Sequence, residues 1–249
     1  MTIAFVHGVP ETAAIWDALR AALGRPSVAL SPPGFGAEIP EGFACTSDAY
    51  LDWLADEIAG LPGPVDVVGH DWGGIHTIRL AMARPELIRS WTSDVTGVFD
   101  PGYRWHDLAQ AWQTPDLGEK TVAAMAAAPP EAKAAQLVGA GMTQDAAAAV
   151  AEAMNDRMAQ AILPLYRGAA QPFLAELGAD LSKAAARPGL AVIATEDAYT
   201  GGPEPSRRAA ERAGAAIVEI EGEGHWWMCR KPDAGARIVL DFIDGLEAA

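Results

Sequence analysis

Cysteine is scarce in this sequence, which has only Cys45 and Cys229 among its 249 residues. The two lie far apart, without the close spacing of a metal-binding pair and without a secretory context. We therefore expect two free thiols in a reducing compartment and no disulfide. The sequence predicts neither a metal site nor a cofactor.

Basic residues and long apolar runs are also scarce. The 18 Lys and Arg residues are outnumbered by 33 Asp and Glu residues, which gives a net charge of −15. Because this charge repels phosphate backbones and anionic bilayers, we expect neither nucleic acid nor a membrane surface as a partner. No segment resembles a signal peptide or a membrane span, so we expect a cytoplasmic protein. Nothing in the sequence indicates an oligomeric state.

Apolar strand patterns alternate with helical patterns over much of the chain. Strands are predicted near 2–7, 27–31, 65–69, 88–94, 190–195 and 215–220, and helices near 13–23, 47–60, 73–84, 206–213 and 231–245. This alternation is typical of an α/β fold, a mostly parallel sheet with helices on both faces. With half of its residues hydrophobic, the chain can bury one core and carry an insertion. We expect about six strands.

Residues 97–187 interrupt the alternation and are rich in alanine. Helical stretches at 121–128 and 143–163 are predicted to be broken by Pro129-Pro130 and Pro164. We interpret 97–187 as a helical cap inserted into a core formed by 1–96 and 188–249. An interaction surface is the alternative, but insertion after the fourth strand favours a lid that excludes water.

The segment Gly69-His70-Asp71-Trp72-Gly73-Gly74 follows an apolar strand and precedes a helix. Small residues on both sides of one reactive side chain are typical of a nucleophile elbow, a strained turn between strand and helix. Here the central residue is Asp71, which is ionised at neutral pH and needs no base to activate it. Such a carboxylate can displace a halide or open a strained ring. Asp between glycines is also common in ordinary turns, so the remaining parts of the site decide the interpretation.

A histidine and an acid follow the elbow in the order typical of α/β hydrolases. His225 lies in a loop after the last predicted strand, where open α/β sheets place their ligands. Glu196 and Asp197 end the preceding strand, and either carboxylate could orient the imidazole. We favour Asp197 because it lies one residue further into the loop.

The first strand runs into the loop His7-Gly8-Val9-Pro10-Glu11. An oxyanion hole needs one backbone N–H from this loop and one from the residue after the nucleophile. Val9 and Trp72 occupy these positions. Gly8 permits a close approach, and Pro10 is a candidate for a cis peptide bond.

Together, the His7–Glu11 loop, the elbow and Gly224-His225-Trp226 resemble the motifs of α/β-hydrolase-fold epoxide hydrolases. Haloalkane dehalogenases, related to them, share the Asp-Trp pair. Ser31-Pro32-Pro33-Gly34-Phe35-Gly36 is similar to the family's Gly-aromatic-Gly loop, with Ser31 where Asp is usual. The resemblance covers roughly the first 100 and last 60 residues. It implies an α/β-hydrolase fold, an Asp nucleophile, and a small apolar substrate with water as the second reactant.

The leaving group distinguishes the two activities that the resemblance implies. Epoxide hydrolases usually donate from two cap tyrosines; Tyr166, which precedes an Arg as in that family, is similar to the second. The first is open between Tyr103, His106 and no residue at all.

Halide departure needs N–H donors instead, for which Trp72 with Trp105 or Trp112 are candidates. However, Val9 stands where many dehalogenases have Asn. We expect an epoxide hydrolase that forms a vicinal diol, with Tyr103 and Trp105 contacting substrate. A haloalkane dehalogenase is the alternative. A catalytically silent binding module is less favoured, because no part of the triad is visibly broken.

Overall fold

The computed structural model describes residues 1–247. Six parallel strands form one sheet in the order β2-β1-β3-β4-β5-β6. The strands are β1 (Thr2–Val6), β2 (Ser27–Leu30), β3 (Val65–Gly69), β4 (Ser90–Ser93), β5 (Gly189–Ala194) and β6 (Ala216–Ile220). The α/β class and the number of strands predicted from the sequence are thereby confirmed.

Burial follows position in the sheet. The last four residues of β1 and every residue of β3, β4 and β5 are buried, whereas the edge strands β2 and β6 are partly exposed. Central strands of a parallel sheet are covered on both faces, which explains why even the polar residues of β3 and β4 are buried.

Twelve α-helices are found in the described part of the chain. They are α1 (Asp17–Leu23), α2 (Ser47–Gly60), α3 (Trp72–Ala83), α4 (Asp107–Gln113), α5 (Leu117–Ala127), α6 (Pro130–Gly139), α7 (Gln144–Ala153), α8 (Asp156–Gly168), α9 (Phe173–Ala179), α10 (Pro203–Arg212), α11 (Trp227–Arg230) and α12 (Pro232–Gly245). Helices α4 to α9 lie between β4 and β5, within the segment 97–187 that we continue to call the cap. Across residues 1–247, no helix is long and apolar enough to cross a membrane.

Two predictions about helix boundaries in the cap were wrong. Pro164 does not break a helix but lies inside α8. Proline removes one amide donor there, and its missing partner would be the carbonyl of Gln160, an exposed residue that water can reach. The break within 143–163 instead comes at Asn155, whose side chain accepts hydrogen bonds from the N–H groups of Arg157 and Met158 and so caps α8.

Core and cap enclose a cavity of about 580 Å³. Its core wall includes Val9, Asp71 and His225, and its cap wall comes mainly from α5 and α6. The fold therefore places the end of β3, the loop after β1 and the loop after β6 around one space, at the carboxyl ends of the strands.

Candidate active site

Asp71 lies at the sharp turn between β3 and α3. Its backbone has φ 50° and ψ −126°, which L-residues rarely adopt. The turn is tight: a Cβ placed on Gly73 would overlap the backbone carbonyl of Val6. Small residues are therefore required here. The Asp71 side chain remains 18% exposed, so it can be reached from the cavity.

The loop after β1 holds one oxygen of the Asp71 carboxylate. The backbone N–H of Val9 donates to Asp71 Oδ1 at 2.8 Å. Gly8 allows this approach, because a Cβ there would overlap the same carboxylate. The Val9–Pro10 bond is cis. Trp72 is the first residue of α3, so its backbone N–H is among those left without a partner inside the helix.

His225 faces the second oxygen of Asp71. Its Nε2 is 3.9 Å from Asp71 Oδ2, too far for a direct hydrogen bond, and its Nδ1 is 2.8 Å from Asp197 Oδ2. The other oxygen of Asp197 accepts from the backbone N–H of Tyr199 at 2.8 Å. Glu196, the neighbouring acid, is exposed. The order Asp197, His225, Asp71 is thus a continuous line of side chains.

The charges of these three groups shift one another's pKa. Burial alone would lower the pKa of His225, but the negative charge of Asp197 raises it above the ordinary imidazole value. Burial opposes ionisation of Asp197 too, yet His225 lowers its pKa. Burial raises the pKa of Asp71, partly offset by His225 and by the Val9 N–H. A water molecule placed between His225 and Asp71 would meet a base that a carboxylate orients.

Beneath the elbow lies a buried charge network that the sequence analysis did not predict. His70 Nδ1 is 2.6 Å from Asp94 Oδ2, and its Nε2 is 3.2 Å from Glu11 Oε1. Although burial disfavours the cation, these two carboxylates raise the pKa of His70 well above 6.5. Both ring nitrogens thus face carboxylates, an arrangement that favours the imidazolium form of His70. The sequence offered one signal, since Asp94 directly follows β4 at the same sheet edge.

Glu11, His70 and His225 also bring their ligand atoms within 4.8 Å of one another, the kind of cluster that can hold a metal ion. An imidazole binds a metal through a ring nitrogen that carries no proton. Both ring nitrogens of His70 lie within hydrogen-bonding distance of carboxylates, so neither is free to bind a metal. The cluster fits a buried ion network better than a metal centre.

Tyr166 of α8 lies in an aromatic cluster over the elbow. Its ring contacts Trp72, Trp105 and Trp112, with centroids 5.5, 5.3 and 4.7 Å away. Burial and the negative charge of Asp71 raise the pKa of Tyr166 well above 10. Its hydroxyl therefore stays protonated at neutral pH and can act as a donor.

The structure does not bring Tyr103 or Trp105 to the cavity wall, and Tyr166, which is 1% exposed, is not among the lining residues either. The Tyr103 hydroxyl donates to the Tyr199 carbonyl at 2.9 Å, and Trp105 Nε1 donates to the Ala169 carbonyl at 2.9 Å. Both side chains are thereby committed to holding the backbone of neighbouring segments. His106, the alternative to Tyr103, does line the cavity.

Tyr199 also lines the cavity, and the sequence analysis did not select it. Its ring lies 4.8 Å from that of His225, and it follows Asp197 by two residues. Burial and the charges of Asp197 and Asp71 raise its pKa. His106 packs against Tyr199 at 5.0 Å, and burial lowers its pKa to about 4, so its imidazole is neutral at pH 7.

Two indole groups near Tyr166 retain free donors. Among the residues that the structure describes, Trp72 Nε1 and Trp112 Nε1 are buried and have no hydrogen-bond partner. Such groups are costly to bury unless something else accepts from them. Trp112 also lines the cavity, although its Nε1 is itself buried.

Comparison with known proteins identifies the family of this chain. The model of the family described as "Alpha/beta hydrolase family" matches residues 3–238. An esterase of Mycobacterium tuberculosis (strain ATCC 25618 / H37Rv), Rv0045c, is 34% identical over 88 residues, which are 34% of this chain and 30% of that protein. The match thus spans less than a third of the curated relative.

Solved structures resemble the whole chain. Haloalkane dehalogenase DbeA from Bradyrhizobium elkani USDA94 has a TM-score of 0.72 at 23% identity, over 99% of this chain and 91% of that one. E-2-(acetamidomethylene)succinate hydrolase has a TM-score of 0.75 at 19% identity, over 98% and 91%. At these identities the likeness concerns the fold. With the family model covering nearly all of it, the chain belongs to the alpha/beta hydrolase family.

Proposed function

We propose that this hydrolase uses Asp71 as a nucleophile and His225 as the base that activates water, and that its substrate is an epoxide. One observation carries the proposal: a carboxylate stands at the elbow, with Oδ1 held by the Val9 N–H and Oδ2 facing His225 Nε2 at 3.9 Å. A carboxylate in this position attacks carbon without prior deprotonation.

In the first step, Asp71 Oδ2 forms a bond to an epoxide carbon and the C–O bond of the ring breaks. The departing alkoxide takes a proton from Tyr166, whose hydroxyl is held neutral beside Asp71. The products of this step are a hydroxyalkyl ester on Asp71 and a tyrosinate.

In the second step, His225 removes a proton from water and the hydroxide attacks the ester carbonyl carbon. The N–H groups of Val9 and Trp72 receive the developing oxyanion, and Asp197 stabilises the imidazolium. Collapse breaks the ester C–O bond, and the departing alkoxide takes the proton of the new Asp71 carboxyl group, which releases the vicinal diol and restores the carboxylate. The proton on His225 returns through solvent to Tyr166, so the net reaction is epoxide plus water to diol.

Haloalkane dehalogenation is the second candidate. The buried indole donors of Trp72 and Trp112, which lack partners within residues 1–247, favour it because halides are bound by such N–H groups. The same Asp71 ester would form, with halide as the leaving group in place of an alkoxide. A catalytically silent binding module has less support, since His225 lies between Asp71 and Asp197 as a catalytic triad requires.

A substrate panel tests the choice. Purified enzyme is given 1,2-epoxyhexane, 1-bromohexane and 4-nitrophenyl butanoate, and diol, bromide and nitrophenolate are measured. Diol formation that disappears in Asp71→Ala supports the proposal. Bromide release without diol identifies the dehalogenase. Ester cleavage alone, retained by Asp71→Ala, contradicts both.

A further inference from the structure

Lys133 of α6 is a buried cation in the wall of the cavity. Lys133 is only 7% exposed, yet it lines the same cavity as Asp71 and His225. Burying an ammonium group is unfavourable unless an anion or several acceptors compensate it. Within the described chain, no carboxylate lies within 4.0 Å of Lys133 Nζ.

Two backbone carbonyls compensate Lys133 in part. Nζ donates to the Met154 carbonyl at 2.6 Å and to the Ala126 carbonyl at 2.9 Å. Both acceptors lie at helix C-termini, one just after α7 and one in the last turn of α5, where the helix dipole favours a cation. A purely structural role as a cap for these two helices would use two of the three N–H donors. The third donor and the full positive charge remain.

Most cap residues that line the cavity are apolar, but three further polar side chains come from α5 and α6. Gln136 lies one turn further along α6, and Lys120 and Thr121 come from α5. Among the described residues that line the cavity, Asp71 alone is acidic, and it belongs to the opposite, core wall. The cavity is therefore polarised, with a carboxylate at the core and two lysines on the cap.

We propose that the cavity binds substrates with a carboxylate at the end remote from the reacting carbon, paired with Lys133 and assisted by Lys120. An anionic group is repelled by Asp71 and attracted by Lys133, so this polarity would orient the substrate with its neutral end at the nucleophile. Only the identity of the reacting group rests on the proposed function; carboxylate binding does not.

Binding without turnover tests the proposal. Hexanoate and hexanamide, which match in length and differ in charge, are titrated into the wild-type enzyme by calorimetry. We expect hexanoate to bind at least about tenfold more tightly, the effect of one charge-assisted hydrogen bond. Equal binding of the two, or binding of neither, would overturn the proposal without any variant being made.

Lys133→Gln separates charge from helix capping, because a carboxamide keeps two N–H donors and has no charge. It should abolish the preference for hexanoate, whereas Lys133→Arg should retain it. Lys183→Gln, an exposed lysine outside the cavity, is the matched control and should behave as wild type. If Lys133→Gln folds with an unchanged Tm and still prefers hexanoate, Lys133 only caps helices and the proposal is wrong.

Turnover of 5,6-epoxyhexanoate against 5,6-epoxyhexanamide separates this proposal from the epoxide hydrolase assignment. A higher kcat/KM for the acid than for the amide supports both proposals, provided that Lys133→Gln removes the difference. The loss should come from a raised KM for the acid, with kcat unchanged. If neither compound gives diol while hexanoate still binds through Lys133, the assignment fails and carboxylate recognition stands. If both compounds give diol at equal kcat/KM, the epoxide hydrolase assignment stands and the proposal of carboxylate recognition fails.

Discussion

Glu11→Gln should destabilise the protein strongly at neutral pH, because it removes one of the two carboxylates that hold the His70 imidazolium. Glu11 is 1% exposed and accepts from the Gly8 N–H at 3.0 Å, from His70 and from Trp226 Nε1. Burial would raise its pKa, but the charge and hydrogen bond of His70, with the charges of His225 and His7, together outweigh burial and lower it from 4.5 to about 2.

The size of the effect follows from that pKa. A carboxyl whose pKa falls from 4.5 to about 2 on folding contributes about 3 kcal/mol to the free energy of unfolding at neutral pH. This agrees in order of magnitude with the 3–5 kcal/mol (roughly) lost when one partner of a buried ion pair is removed. Because the folded pKa is the lower one, the contribution is present above pH 4.5 and is lost as the pH falls towards 2.

Urea unfolding measures this contribution. The free energies of unfolding of wild type and Glu11→Gln should differ by about 3 kcal/mol at pH 7, and the difference should shrink as the pH falls from 5 to 2. Glu196→Gln, an exposed carboxylate in the same part of the fold, should change stability by less than about 0.5 kcal/mol. A Glu11→Gln effect below about 1 kcal/mol at pH 7, or one independent of pH, would refute the buried ion network.

Three further substitutions test the chemistry. Asp197→Asn should slow ester hydrolysis by on the order of 10⁴-fold and leave alkylation of Asp71 largely intact. Since the Asp197 charge raises the pKa of His225, the limb of the pH–rate profile on which activity increases with pH should shift to lower pH in this variant. Tyr166→Phe should slow ring opening of a terminal epoxide by on the order of 10²–10⁴-fold in stopped-flow measurements and change bromide release little. Trp112→Phe should instead reduce bromide release if halide is the true leaving group. If Tyr166→Phe and Trp112→Phe affect both substrates equally, neither side chain has the donor role proposed for it.

The sheet and the core part of the site were predictable because both depend on local sequence. Strand β3 and helix α3 follow from an apolar run, small residues and a helical pattern, and Asp71 lies between them. His225 and Asp197 come from loops at the ends of parallel strands, which one sheet edge brings together. Their convergence required only the fold class.

The cap side was not predictable in the same way, because it depends on packing between helices. Tyr103 and Trp105 were predicted to contact substrate, but their polar groups bond to backbone carbonyls distant in sequence. No periodic pattern in the sequence predicts such a hydrogen bond. Lys133 is similarly hidden, since a lysine on an amphipathic helix is ordinarily solvated and only the neighbouring helices bury it.

The charge network around His70 could not be predicted from the sequence either. Its two carboxylates, Glu11 and Asp94, come from loops after different strands, 59 and 24 residues away. A single histidine beside the nucleophile gives no sign of its charge, which depends entirely on those two neighbours.

The most direct test of the account is the mass of His225→Gln protein after exposure to 1,2-epoxyhexane. Without the base, the ester on Asp71 should form and persist, so the intact protein should gain the mass of one substrate molecule, and peptide mapping should locate it on Asp71. The double variant Asp71→Asn/His225→Gln should gain nothing. Full diol formation by His225→Gln, or an adduct on another residue, would contradict the central claim that Asp71 is the nucleophile and His225 its hydrolytic partner.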